Sequence, residues 1–163
     1  MTKFDDIKTR LRALLEDNSE QRFSDDLLAA ATRQTLEELE QRLPRLVSSP
    51  FTVTSSGRQQ PILSISDCRY ILSVSAHGEG ETTRELQPET RFTYLLLNGT
   101  PTLHFLGQYI PAAGEGLTIH YAAGYTIEGL DGSPSTSLPP ALDGVLVDGA
   151  AAQVCLLRAG SLL

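Results

Sequence analysis

Between Phe92 and Leu106 the chain reads FTYLLLNGTPTLHFL. An apolar, β-rich run from Phe92 to Leu97 meets Asn98-Gly99, and Thr102 to Leu106 runs back. Asn-Gly between two apolar runs is a strong short-range hairpin signal, because both turn positions then need positive φ. Antiparallel β structure therefore has to occupy the middle of this chain. Everything else must fold around it.

The segments before and after follow a different period. Phe4, Ile7, Leu11, Leu14 and Leu15 fall at helical spacing with charges between them, which predicts an amphipathic helix over about Lys3 to Glu16. Asp17-Asn18-Ser19 breaks it. Ser24 is a good N-cap, and Asp25 and Asp26 follow in the first turn, where the helix dipole favours negative charge. The second helix runs to about Leu43 with a stripe of Leu28, Ala31, Leu36, Leu39 and Leu43, and Pro44 marks its end. Two amphipathic helices with a short loop predict an αα-hairpin. Glu37, Glu38, Glu40, Arg33 and Arg42 make a charged face, which fits solvent or a binding partner.

From Ser48 the grammar changes. Ser48-Ser49-Pro50 and Ser55-Ser56-Gly57 read as turn or linker, Phe51 to Thr54 and Ile62 to Ile65 as short strands, and Cys68 to Ser75 as a clearer one. Gly78 to Pro88 is polar and reads as a loop. Pro111 to Gly116 is a turn, and Leu117 to Tyr121, with Tyr125 to Ile127, completes a sheet of four to seven strands. This spacing fits an antiparallel meander or small sandwich.

The last third turns back to helix. After a polar loop, Gly129 to Leu138, Pro139-Pro140 suits a first helical turn, where a missing N–H costs nothing. Leu142, Val145, Leu146, Gly149, Gln153 and Leu156 lie along one side of a helix to Arg158, and Gly160 is its stop. Gly144 and Gly149 each cost about 1 kcal/mol against Ala in a helix. That cost points to close backbone approach, with Gly149, Ala150 and Ala152 as the packing residues. The expected fold class is α+β. A helical hairpin (1–47) and a docking loop with small-residue helix (128–163) pack as one helical core, and an antiparallel β region (48–127) is inserted between them.

Charge limits the partners. The chain carries 13 basic and 20 acidic residues, a net charge of −7. To Val47 there are eight basic and ten acidic residues, giving −2; the rest has five and ten, giving −5. Neither part is a basic surface for duplex nucleic acid. A negative wall does suit a channel through which DNA slides without sticking. The N-terminus has no apolar signal core, and no run reads as the roughly 20 apolar residues of a membrane span, so no membrane is expected.

The residues of chemistry are scattered. His77, His104 and His120 have no Cys, Asp or Glu at a metal-ligand spacing. No GxSxG elbow is present. Cys68 and Cys155 lie in apolar runs and read as small buried hydrophobes; a pairing between them stays open. Gly78-Glu79-Gly80, Gly114-Glu115-Gly116 and Gly129-Leu130-Asp131-Gly132 lack the P-loop and dinucleotide patterns. Asp131-Gly132 reads as a tight turn whose glycine supplies φ > 0, rather than as a calcium loop. No catalytic residue, metal or cofactor is expected. A small hydrolase using His104 or His120 with Asp131 is the enzymatic alternative.

The stretch GLDGSPSTSLPPALDGVLVDGAAAQVCLLRA resembles the C-terminal part of tailed-bacteriophage head–tail connector proteins, the neck adaptor or head-completion family. The residues that carry the resemblance are Tyr121 in a strand, Gly129-Leu130-Asp131 in a turn, Thr136 in a polar loop, Leu138-Pro139, and Gly149-Ala150-Ala151 in a helix. FSDDLLAAATRQTLEELEQRLP is similar to the family's opening, with a polar-Asp cap before a helix that ends near a proline. The likeness covers about Lys3 to Pro44 and Tyr121 to Arg158. Phe51 to Ile119 is larger and more β-rich than in the small all-helical adaptors.

The resemblance implies a structural virion protein made in the host cytoplasm and located in the neck between capsid and tail. Its partners would be further copies of itself in a ring of twelve, the portal protein, the next neck or tail-completion protein, and DNA passing without specific binding. The expected subunit or portal interface is Gly129, Leu130, Asp131, Gly132, Ser133, Thr136 and Leu138. A tail-completion or tail-terminator protein is the alternative within the same class.

Overall fold

The computed structural model describes residues 2–17, 22–63, 65, 68–77, 83–86 and 91–160. The fold is α+β, with helices at both ends of the chain and antiparallel sheets between them. The chain forms two compact units: Met1–Pro44 with Tyr125–Leu163, and Arg45–Gly124. Both crossings thus fall slightly before the boundaries expected at 47/48 and 127/128.

The first unit is helical. Helix α1 spans Phe4–Leu14 and α2 spans Asp25–Arg42; a 3-10 turn at Pro140–Leu142 leads into α3, Asp143–Gly160. Ser24 caps α2 as expected, its hydroxyl accepting from the Leu27 N–H at 3.2 Å. α1 ends in a Schellman turn: the Asp17 N–H reaches the Arg12 carbonyl at 2.8 Å and Glu16 takes φ 54°. The break expected at Asp17 is therefore present, while Asn18 and Ser19 lie outside the described residues. α2 packs chiefly on α3, and α1 touches both more lightly. Their core holds Ile7, Leu11, Leu28, Ala31, Leu146 and Val154, all fully buried. Leu43, expected on the stripe, is 53% exposed, because the chain leaves the helix at that residue.

Between α1 and α2 the chain is tied by a buried charge. The Asp17 carboxylate, 1% exposed, accepts from the Arg22 N–H (2.9 Å), the Phe23 N–H (3.0 Å) and Arg12 Nη1 (3.1 Å). Arg12 also donates to the Phe23 carbonyl and to Asp25. A loop with few apolar residues is thereby held by hydrogen bonds to one carboxylate.

Among the described residues the second unit is a sandwich of seven strands. One sheet has the order β1-β7-β3-β4 and the other β2-β6-β5, all pairings antiparallel. The strands are β1 Arg45–Thr52, β2 Gln59–Pro61, β3 Cys68–His77, β4 Thr83–Leu86, β5 Phe92–Leu97, β6 Thr100–Phe105 and β7 Gly116–Ala123. The two sheets share a core that includes Val74, Leu86, Phe92, Leu103, Phe105 and Ile119. The hairpin forms as the sequence demanded: Leu97 opposes Thr100, and Asn98 and Gly99 take φ 51° and 78°.

Four readings of this region change. Ser48-Ser49-Pro50 is not a linker but the middle of β1. β1 is an edge strand, where a proline leaves no central ladder bond unmade. β2 ends at Pro61, and Ile62 and Ile65 are buried beyond it rather than forming a strand of their own. The polar segment from Gly78 to Pro88 contains β4, which pairs with the far end of β3; its other residues lie outside the described ones. β7 also stops at Ala123, so Tyr125 to Ile127 is not sheet.

Chain entry and exit lie side by side in the sandwich, because Arg45 opposes Ala123 in the β1–β7 register. In the helical unit the same two crossings are also tied: the Tyr125 N–H donates to Glu40 Oε1 and the Tyr125 hydroxyl to the Leu43 carbonyl, each at 2.7 Å. Adjacent ends are what an inserted unit needs.

Candidate interaction surface: the polar loop and the small-residue helix

The loop from Gly129 to Leu138 is folded onto the helical unit rather than free. Leu130 and Leu138 are each 5% exposed and belong to its core. Thr136 is buried; its hydroxyl donates to the Thr2 carbonyl and accepts from the Glu128 N–H at 2.9 Å. Ser137 and Thr126 bond through both backbone and side chain. Gly129, Asp131 and Gly132 take φ 87°, 54° and 72°, so the Asp131-Gly132 turn has the left-handed glycine the sequence called for. Of the expected interface residues, Gly129, Asp131 and Gly132 are exposed and Ser133 is half-buried, beside exposed Pro134 and Ser135.

Asp131 is engaged by α2. Arg33 Nε lies 2.7 and 2.8 Å from the two carboxylate oxygens. A fork of this kind fixes the tip of the loop and neutralises the charge a calcium ion would need. The hydrogen bond from Arg33 holds the Asp131 carboxyl below the usual carboxylate range and raises the guanidinium in turn. Asp25 is lowered likewise, by Lys8 first and Arg12 second.

A depressed carboxyl contributes stability above its unfolded pKa, near 3.9, and loses it as pH falls through the folded value. The Arg33 and Asp131 side chains are 46% and 55% exposed, so water screens the pair and it is worth under about 1 kcal/mol. Asp131→Asn is expected to cost that much in urea melts at pH 7. The gap to wild type should shrink towards zero at pH 3; a gap that is constant with pH would refute the assignment.

α3 buries a different stripe from the one its sequence predicts. Leu146, Val147, Ala150, Ala151 and Val154 face the core, whereas Val145 is 52% and Leu156 65% exposed. Ala150 and Ala151 are buried and Ala152 is exposed. Gly149 sits against α2 so closely that a Cβ there would lie 2.6 Å from Thr35 Cγ2. Val145 and Gly149, with Thr35, Glu38, Leu39 and Arg42 of α2, line a groove of about 220 Å³. Pro140–Gly160 is 21 residues, long and apolar enough by length and composition to cross a membrane, contrary to the expectation from sequence. Its Leu146–Val154 stripe nonetheless lies in the core of the helical unit.

The residues of chemistry belong to different units. His104 is on β6 and His120 on β7, both in the sandwich, whereas Asp131 belongs to the helical unit and is held by Arg33. His120 lies between two serines, with Nδ1 2.7 Å from Ser48 Oγ and Nε2 3.1 Å from Ser75 Oγ, a cross-strand ladder that sequence reading missed. The histidine was visible; the neighbours depend on β1 passing through Ser48. His77 is in β3, but its side chain is outside the described ones, as are Gly78-Glu79-Gly80. The cysteines were read as buried; Cys68 is half-buried, and Cys155 is exposed because it faces away from the α3 core stripe.

No protein-family model matches the chain, and no curated protein matches it. Among solved structures it is similar to a chain in the neck of an empty GTA particle, computed with C6 symmetry. The identity is 19%, the TM-score is 0.37, and the match covers 80% of this chain and 67% of that one.

Proposed function

We propose that this chain is a structural head–tail connector subunit of a tailed-phage-like particle, not an enzyme. It would form a ring of twelve under the portal, extend the DNA channel and seat the next neck or tail-completion protein. One observation carries the reading beside the motif resemblance. The helical unit, built from both chain ends, presents a loop pinned by Arg33–Asp131 and Thr136 next to a helix that leaves Val145, Ala152, Leu156 and Leu157 at the surface. A preorganised loop loses little entropy on docking, and exposed apolar side chains on a core helix favour burial against another chain. The net charge of −7 suits a channel wall that does not hold DNA.

The portal and subunit contacts would fall on Gly129, Asp131, Gly132 and Ser133, with Leu130, Thr136 and Leu138 holding the loop from below. Gly149 and Ala150 would keep α3 tight on α2. Electron microscopy of the purified protein mixed with neck-less capsids tests this. Rings at a single vertex are expected, and substituting exposed Pro134 and Ser135 by glutamate should reduce their occupancy about tenfold, as like or unpaired charge at a contact costs roughly 1.4 kcal/mol or more. A protein that never binds capsid would sink the proposal.

A further inference from the structure

Among the described residues four strands end the two sheets of the sandwich: β1, β4, β2 and β5. Native sheets blunt such edges with proline, charge or shortness, because open N–H and C=O groups invite another strand. β1 carries Pro50; β2 has three residues and ends on Pro61; β4 has four and carries exposed Glu85. β5 has none of these devices. It is six residues long, FTYLLL, with no charge and no proline.

The register says which of its groups are open. Leu97 opposite Thr100 closes a two-residue turn, so Leu97, Leu95 and Thr93 bond to Thr100, Thr102 and His104. The Leu106 N–H donating to the Arg91 carbonyl at 2.7 Å continues that alternation. The backbone groups of Phe92, Tyr94 and Leu96 therefore point away from β6. Among the described residues they have no other backbone partner. Leu96 is 67% exposed and Leu95 37%.

We propose that β5 is a self-association edge, on which β5 of a second copy adds antiparallel about a two-fold axis at Tyr94. The open ladder calls for an extended strand, not merely an apolar cover. A second copy fits because β5 is self-complementary in this register. Tyr94 meets Tyr94, Phe92 of one copy lies opposite Leu96 of the other, and Thr93 lies opposite Leu95. Every one of these pairs is uncharged, so two chains of net charge −7 meet here without like charges opposed in the strand. The other described edges of a copy are blunted, which leaves β5 as its own match. The contact joins two three-stranded sheets into one of six and covers Leu96. It goes beyond the connector reading and does not depend on it.

Sedimentation of the full-length free protein, without capsids, tests it. Samples from about 5 to 500 µM bracket the affinity expected of so small an interface. The mass is expected to move from one chain to two, and Leu96→Lys should raise the required concentration at least tenfold with an unchanged circular dichroism spectrum. On a Cys68→Ser, Cys155→Ser background, Thr93→Cys with Leu95→Cys should give a covalent dimer on oxidation. A monomer at every concentration that yields no cross-link overturns the proposal. So does a dimer that neither Leu96→Lys nor the cysteine pair affects. Should Leu96→Lys unfold the chain, the cross-link alone decides.

Discussion

Asp17→Ala is expected to lower the stability of the helical unit by about 3–5 kcal/mol, the usual cost of breaking a buried charge pair from one side. The Asp17 carboxylate is 1% exposed and answers three donors, the Arg22 and Phe23 N–H groups and Arg12. Alanine removes the acceptor and leaves all three. Arg12 is 8% exposed, so its charge then loses its most buried acidic partner among those described, while its bonds to exposed Asp25 and the Phe23 carbonyl remain. Asp17→Asn keeps an acceptor for the backbone but loses the charge, and should cost about half as much. Urea melts at pH 7 separate the two. Equal costs would mean that the carboxylate's charge does nothing, and a loss below 1 kcal/mol in Asp17→Ala would refute the buried tie altogether.

Gly149→Ala should lower stability by about 1–3 kcal/mol, although alanine is intrinsically the better helix residue by about 1 kcal/mol. The reason is the 2.6 Å approach of the new Cβ to Thr35 Cγ2. Thr35 cannot swing aside cheaply, since it is 5% exposed and its hydroxyl donates to the Ala31 carbonyl at 2.9 Å. Thr35→Ser keeps that hydroxyl and deletes the clashing methyl. In the double mutant the clash disappears while the helix gain remains, so a coupling of about 1–2 kcal/mol is expected in the double-mutant cycle. For a chain of this size that is a difference of some 2–8 °C in Tm between Gly149→Ala alone and the rescued pair. Additive mutants would show that the glycine is not there for close packing.

The two glycines of α3 show how far the residues alone could lead. Both were legible as positions that cost helix stability, and close approach was the natural inference. Only Gly149 meets a neighbour; Gly144 has open space around it. Nothing in the spacing distinguishes them, because the difference lies in α2. The same limit moved the buried stripe. α3 is apolar nearly all round, so periodicity could not say whether Val145 or Val147 faces inward; Val147 is buried in the core of the helical unit, while Val145 lies exposed at the groove beside α2. The loop after β7 was equally opaque. Its polar composition suggested an arm, yet Leu130 and Leu138 enter the core and Thr136 and Arg33 bind it down from distant parts of the chain.

By itself the sequence determined what is local. Asn98-Gly99 set the hairpin and its register, since few residues other than Asn and Gly accept two successive positive φ values. Ser24 and Pro44 bounded α2, and the change of period from 3.6 to 2 and back placed helices around a β unit. The tertiary structure decided what depends on partners far along the chain. It drew Ser48–Pro50 into β1 through pairing with β7, and made β4 from a polar stretch through pairing with β3. It also left β5 as an uncharged open edge. Strand pairing is cooperative and non-local, so a weak β segment becomes a strand only when a neighbour supplies its ladder, and an edge exists only once the sheet's order is fixed.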